Sequence, residues 1–179
     1  DNCDTNIDEG GVCGTDVTIQ AGLETTGRPA GSGWEVPITV DFYESTASWG
    51  DKGGSITGAI LHTDSGTSTH NAVNGTADFV CLAVPNDTYD VAVRNSTSLI
   101  NIYDDVVVAG GTMDLDMATL VEGDCNANKF QINVFDLLIF RNAYSPNPYN
   151  RAADLNVDGA VNVFDLLLFR NNYNNNNLG

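Results

Sequence analysis

NVFDLLIFRNAY, from Asn133 to Tyr144, and NVFDLLLFRNNY, from Asn162 to Tyr173, differ at two of twelve positions. Self-similarity this close marks a duplicated supersecondary unit. Each copy reads as a short helix that is apolar most of the way round. One copy offers Val134, Phe135, Leu137, Leu138, Ile139, Phe140 and Tyr144; the other offers Val163, Phe164, Leu166, Leu167, Leu168, Phe169 and Tyr173. An amphipathic helix needs one apolar stripe. One stripe of each helix can pack on the other repeat, and the remainder must find a second surface or stand as an exposed patch. The expected use is a partner interface through Val134, Phe135, Leu138, Phe140, Val163, Phe164, Leu167 and Phe169, with Arg141 and Arg170 at its rim. The rival expectation is that the second face packs on the part of the chain that precedes it.

The residues before each helix carry a ligand pattern. In the second repeat, Asp154, Asn156 and Asp158 alternate at positions one, three and five of a twelve-residue loop. Gly159 follows at six, where the chain must turn sharply. Ala160 would offer its carbonyl at seven, Asn162 stands at nine, and Asp165 closes the loop at twelve. Alternating oxygen donors in a tight turn suit calcium, which takes six to eight oxygen ligands. The first repeat keeps Asp124, Asn126 and Asn128, but Lys129 replaces the glycine. Phe130 would offer the carbonyl, and Asp136 stands one residue further along than Asp165 does in its own loop. Fewer carboxylates and one extra residue predict weaker calcium binding there. A third site is expected in CDTNIDEGGVC, where Asp4, Asn6 and Asp8 repeat the spacing and a Cys3–Cys13 bridge would clamp the loop.

DLNVDGAVNVFDLLLFRNNY, preceded by a copy of itself about thirty residues earlier, resembles a dockerin over roughly Val121 to Tyr173. The resemblance implies two calcium-binding loop-helix (half EF-hand) repeats, packed with approximate two-fold symmetry, that present helices to a cohesin, a β-sandwich partner. Val163-Phe164 and Val134-Phe135 depart from the hydroxyl residues that many dockerins carry for partner choice. GRPAGSGWEVPITVDFY, PNDTYDVAVRNSTSL and LVEGD resemble the β-domains that precede dockerins in some exported proteins, which implies a structural module of the carboxypeptidase regulatory-like or X type.

Upstream, short β-rich runs lie between Gly, Asn, Asp and Ser clusters. Expected strands are Asp16–Ala21, Glu35–Tyr43, Ser55–His62, Thr76–Val84, Thr88–Arg94, Leu99–Val108 and Thr112–Leu120. In VPITVDFY the residues Val36, Ile38, Val40 and Phe42 fall on one face, the alternation of a half-buried strand. About seven such strands predict an immunoglobulin-like β-sandwich. The expected fold is thus mainly β with a small α part. An acidic N-terminal segment covers 1–14, the sandwich 15–121, a dockerin-like calcium-binding domain 122–174 and a frayed tail 175–179.

With 24 acidic and 7 basic residues among 179, the chain carries a net charge of −17. Such a surface repels nucleic acid and anionic membranes and favours divalent counterions. The chain opens at Asp1 as a processed exported protein would. Three sequons, at Asn74, Asn86 and Asn95, predict a secreted glycoprotein. Cys3, Cys13, Cys81 and Cys125 lack zinc-like spacing and predict disulfides, with Cys3–Cys13 and Cys81–Cys125 the favoured pairing of three. His62 and His70 are the only histidines and stand in no nucleophile motif, so no catalysis is expected. Trp34 reads as the start of a core strand and Trp49 as a surface aromatic that could meet glycan or protein.

The expected function is that of a non-catalytic, calcium-stabilised extracellular assembly protein whose helices dock on a β-sandwich. The partner is either the next copy of the chain, which would build a head-to-tail filament, or a separate cohesin. A filament joint could be reinforced by an exposed strand at Thr15–Ala21. A carbohydrate-binding module delivered by a dockerin is the third reading.

Overall fold

The computed structural model describes residues 14–49, 56–144 and 148–174. The N-terminal loop with Asp4, Asn6, Asp8, Cys3 and Cys13 lies outside the described residues, as does the tail. Among the described residues the chain forms ten strands followed by two α-helices, with single 3-10 turns at Ser32–Trp34 and Arg151–Ala153. These are β1 (Thr15–Leu23), β2 (Pro37–Glu44), β3 (Ser48–Trp49), β4 (Ile56–Thr57), β5 (Ile60–Thr67), β6 (Thr69–Asn71), β7 (Thr76–Val84), β8 (Asp87–Asn95), β9 (Asn101–Val108), β10 (Thr112–Leu120), α1 (Val134–Ala143) and α2 (Val163–Asn172).

One sheet has the order β10-β1-β7-β6 and the other β5-β2-β8-β9, with β3 and β4 forming a separate hairpin. Alternation explains the layers. Along β1 every second residue is buried, from Thr15 through Val17, Ile19 and Ala21 to Leu23. Along β2 the inward set is Ile38, Val40 and Phe42, and these join β1 residues, Val91 and Val93 of β8, and Met117 and Leu120 of β10 in one core. Two sheets whose inner faces share a core make a sandwich. Each large side chain fully buried there contributes about 1.5–3 kcal/mol.

β1 pairs with β10 in parallel and with β7 in antiparallel register. It is therefore an interior strand with both edges used. The expectation of a free strand at Thr15–Ala21, available to complete another molecule, is corrected: its backbone groups already serve this sandwich. The expected strand Ser55–His62 is also redrawn. It breaks between β4 and β5, and β5 then runs on to Thr67. Its polar stretch DSGT gave no strand signal because β5 is an edge strand whose side chains alternate between partial and full exposure. At buried Ser68 the chain leaves one sheet for the other. The Ser68 amide donates to Val36 O at 2.9 Å and its hydroxyl donates to Trp34 O at 2.7 Å.

A second core forms beside the sandwich from Leu99, Cys125, Ile132, Ala153, Leu155, Val161 and the inner faces of the two helices. Phe140 of α1 and Phe169 of α2 stack at its centre, centroids 5.1 Å apart with planes at 16°. Such a pair adds about 0.5–1.5 kcal/mol beyond its burial. This corrects the partner assignment of Phe140 and Phe169, which are the seam between the repeats rather than part of a surface.

Cys81 lies in the sandwich core and Cys125 in the second core, both buried free thiols. The expected Cys81–Cys125 bridge is therefore wrong. Burial raises both thiols, Cys81 to about 12, so neither is a reactive thiolate. Asn95 is likewise corrected as a glycan acceptor. It is 3% exposed, donates to Glu122 Oε1 at 2.8 Å and accepts from the Thr97 amide at 2.7 Å. Asn74 is exposed in the turn before β7, and Asn86 is exposed with its oxygen bonded to Gly110 N. No helix among the described residues is long and apolar enough to cross a membrane.

Candidate cation loops and docking face

The two loops repeat one hydrogen-bond pattern. In the second, Asp154 accepts from Asp158 N through Oδ1 and from Gly159 N through Oδ2, both at 3.1 Å. In the first, Asp124 accepts from Asn128 N at 3.0 Å and from Lys129 N at 2.7 Å. The closing carboxylates also correspond. Asp165 Oδ1 accepts from Leu155 N at 2.7 Å and Asn156 N at 3.2 Å, while Oδ2 accepts from Asn162 N at 2.8 Å. Asp136 accepts from Asn126 N at 3.0 Å and Asn133 N at 2.9 Å. Each closing Asp is thus also the third residue of its helix, in a capping box whose other member is Asn133 or Asn162. Asn162 Oδ1 is used on Phe164 N at 2.8 Å, and its amide reaches Asp158 Oδ2 at 2.9 Å.

Backbone conformation repeats as well. Position six has φ 87° at Gly159 and 76° at Lys129, and position four has φ 60° at Val157 and 58° at Ala127. Left-handed backbone costs a non-glycine residue roughly 1–2 kcal/mol. At Val157 that cost is offset by packing, since the side chain lies against the sandwich core.

The extra residue of the first loop has a visible use. Asn128 Oδ1 accepts from both Phe130 N at 3.1 Å and Gln131 N at 3.2 Å, so the chain makes a wider turn. That turn lets Lys129 O accept from Ile100 N at 2.9 Å. Phe130 then packs on Tyr43, Ala92 and Ile100, a third cluster on the outer face of the β2–β8 sheet.

Ligand atoms of Asp154, Asp158 and Asp165 all lie within 4.8 Å of one another. Asp154 and Asp165 are buried and Asp158 is exposed, so the cluster opens to solvent on one side. Among the described residues no basic side chain is ion-paired to these carboxylates. Burial raises Asp165 above the usual carboxylate range, against the hydrogen bonds from Asn162, Asn156 and Leu155, and the neighbouring Asp154 charge adds to the rise. Asp124 is raised by burial too, with Asp136 contributing. An all-oxygen set of crowded, partly buried carboxylates fits a hard divalent cation. The first loop brings together Asp124, Asn126, Asn128 and Asp136 with one carboxylate fewer.

Sequence reasoning missed the residues that tie the second loop to the sandwich. Arg28, in the β1–β2 connection, donates to Glu24 O, Gly33 O, Leu155 O and Glu122 Oε1 at 2.7–2.9 Å. The Arg28–Glu122 pair is 1% exposed on both sides. Asn172 of α2 donates to Glu24 Oε2 at 2.6 Å and Glu122 O at 2.8 Å. Tyr149 donates to Asp154 Oδ2 at 2.9 Å. A lone arginine in a polar turn carries no periodic signal, which is why sequence pattern could not find it.

The outer faces of the helices stay open. Val134, Phe135 and Leu138 of α1 and Val163, Phe164 and Leu167 of α2 are exposed, with Arg141 and Arg170 exposed beside them. The faces are not equal. Phe135 is 65% exposed, whereas Phe164 is 45% exposed because it leans on Gly27 of the sandwich. The expectation that the second face packs on the preceding part of the chain thus holds in part, at Phe164, and the rest of the face stands as an exposed apolar patch. His70 stacks on Trp34 at 5.2 Å and His62 meets the edge of Phe42 at 5.5 Å, so each histidine packs on an aromatic.

No protein-family model matches this chain, and no curated protein does. Its fold is similar to chains of two crystal structures, an N-terminal and a C-terminal interface mutant of the type II cohesin-X-dockerin complex from Acetivibrio cellulolyticus. The TM-scores are 0.61 and 0.59, with 19% identity over 92% of this chain and 98% of each of those chains. The strands end at Leu120 of 179 residues, so a likeness of that extent runs through the sandwich and on into the loop-helix part.

Proposed function

We propose that the chain is a non-catalytic extracellular assembly module: a sandwich carrying a dockerin-like, calcium-stabilised pair of loop-helix repeats that docks on a β-sandwich protein. The observation that carries this reading is the pair of matching apolar faces left open on α1 and α2. Exposed Phe135, Leu138 and Leu167 are costly to leave in water and are the kind of anchor that protein interfaces use. The repeated loop geometry supports calcium, held by Asp154, Asn156, Asp158 and Asp165 in the second loop and by Asp124, Asn126, Asn128 and Asp136 in the first. Calcium would fix each loop and so the start of each helix. The fold likeness to proteins from cohesin-X-dockerin complexes supports a separate cohesin-like sandwich as the partner.

The test is capture of a cohesin-type sandwich by the full chain in calcium, for wild type and for Phe135→Asp with Leu138→Asp. The double variant should lose at least tenfold in affinity while keeping its melting temperature, because both side chains already face solvent. Equal binding by the variant would overturn the docking face. Homopolymerisation is the competing outcome. Negative-stain microscopy of the chain alone would then show fibres that disperse on chelation, and the partner would be a second copy.

A further inference from the structure

We propose that the Gly27-Arg28 turn of the sandwich is a positioning element for the second cation loop, gripping the loop from outside so that its ligands are set before a cation arrives. This rests on the calcium reading given above. Three contacts converge on the loop from these two residues. The Gly27 carbonyl accepts from Asn156 Nδ2 at 3.1 Å. Arg28 Nη2 donates to the carbonyl of the adjacent Leu155 at 2.9 Å. Phe164, two residues into α2, closes over Gly27: a Cβ built there would lie 2.5 Å from Phe164 Cγ and 2.8 Å from Asn156 Nδ2.

The consequence for Asn156 is specific. A side-chain amide on a free loop can turn either its nitrogen or its oxygen toward a cation. Here the nitrogen is committed to Gly27 O and to Asp158 Oδ2 at 3.1 Å, while Oδ1 stays on the loop and accepts from Asp158 N at 3.1 Å. Asn156 is fully buried, so no water competes for the choice. Partners of this kind, one bond removed from a metal, are worth about 10–100-fold in affinity. The first loop is held differently. Its hydrogen bonds to the sandwich, Ile100 N to Lys129 O and Asp124 N to Thr97 O, both at 2.9 Å, join backbone to backbone rather than gripping a ligand side chain. The clamp therefore makes the second loop the stronger site and couples one of its ligand side chains directly to the sandwich.

Gly27 and Gly31 supply a matched pair of variants. Both have positive φ, 68° and 70°, and with ψ −97° at Gly31 alanine is strained there even outside the left-handed well, so backbone strain is present in both variants. At Gly31 the added methyl meets nothing within 4 Å, whereas at Gly27 it collides with Phe164 and Asn156. Calcium chloride would be titrated calorimetrically into the full chain. Gly27→Ala should weaken the tighter event about tenfold, and Gly31→Ala should leave it within twofold. Equal effects of the two would overturn the clamp, because strain alone would then account for both. Should Gly27→Ala fail to fold, hydrogen exchange on the unmodified chain decides instead. Calcium should raise protection across residues 24–28 together with 154–156; protection confined to the loop would overturn the proposal. A wild-type chain that takes up no calcium would overturn the calcium reading itself, a result distinct from either.

Discussion

Asp165 concentrates three tasks in one fully buried side chain. It closes the ligand cluster, accepts from two loop amides and completes the capping box that starts α2. Asp165→Asn separates these tasks. The neutral amide keeps one acceptor oxygen and sheds a charge that burial already disfavours, so the calcium-free protein should lose only about 1 kcal/mol. The calcium increment should vanish. That increment is about 2.7 kcal/mol at a hundredfold excess over Kd, so urea unfolding with and without calcium resolves the two effects. Asp136→Asn, in the loop with one carboxylate fewer, should instead remove the weaker of two binding events. If Asp165→Asn left the tighter event in place, the ranking of the loops would be reversed.

At the scale of elements, the same burial sets the response to pH. Glu24, Asp124 and Asp165 are all raised, in each case first by desolvation. A carboxyl raised in the folded state binds its proton more tightly there than in the unfolded chain. Stability therefore rises as pH falls through the folded values toward the unfolded ones near 4, and falls as these groups ionise. Calcium-free protein should melt at higher temperature at pH 5.5 than at pH 7.5. Calcium-loaded protein should do the reverse, because protons compete for the same oxygens. Thermal melts at the two pH values, with calcium and with chelator, check the crossing. Relieved repulsion in a chain of net charge −17 acts in the same direction on the calcium-free form, so a calcium-free protein that weakened on mild acidification would contradict both arguments.

The elements were also where sequence legibility divided. β7 and β10 were read to the residue, and β1, β2, β8 and β9 nearly so, because each has an inner face that must be apolar. The duplicated loops and helices were legible because ligand spacing and repetition are local. β6 and most of β5 were not, since edge strands can be polar on both faces. The pairing of Cys81 with Cys125 failed for a different reason: which of two cores a buried thiol enters is a tertiary fact. Phe140 and Phe135 have the same residue type five positions apart, and only the packed helix pair shows that one is seam and the other surface.

For the whole molecule, the question is whether sandwich and loop-helix pair are one cooperative unit or two units in tandem. The joint is continuous and buried. Leu99 N bonds to Val121 O at 2.8 Å, Thr97 O receives both Gly123 N and Asp124 N, and Glu122 sits fully buried among Asn95, Thr97 and Arg28. Arg28 is the piece whose removal tests this. Replacing it by Met keeps most of the side-chain volume but leaves the Glu122 carboxylate buried with no cation, a loss of about 3–5 kcal/mol for a broken buried pair. That is a large share of the 5–15 kcal/mol that holds a typical domain. The broken ion pair falls on the joint, since the same guanidinium that bonds Glu24 O and Gly33 O within the sandwich also bonds Glu122 and Leu155 O beyond it. In calcium the wild-type chain should therefore melt in a single calorimetric transition, and Arg28→Met should split it, the loop-helix part melting first while the sandwich keeps its own core. Two transitions already present in the wild type would mean that the joint is weaker than its hydrogen bonds imply, and that the sandwich and the helices act as independent modules on one chain.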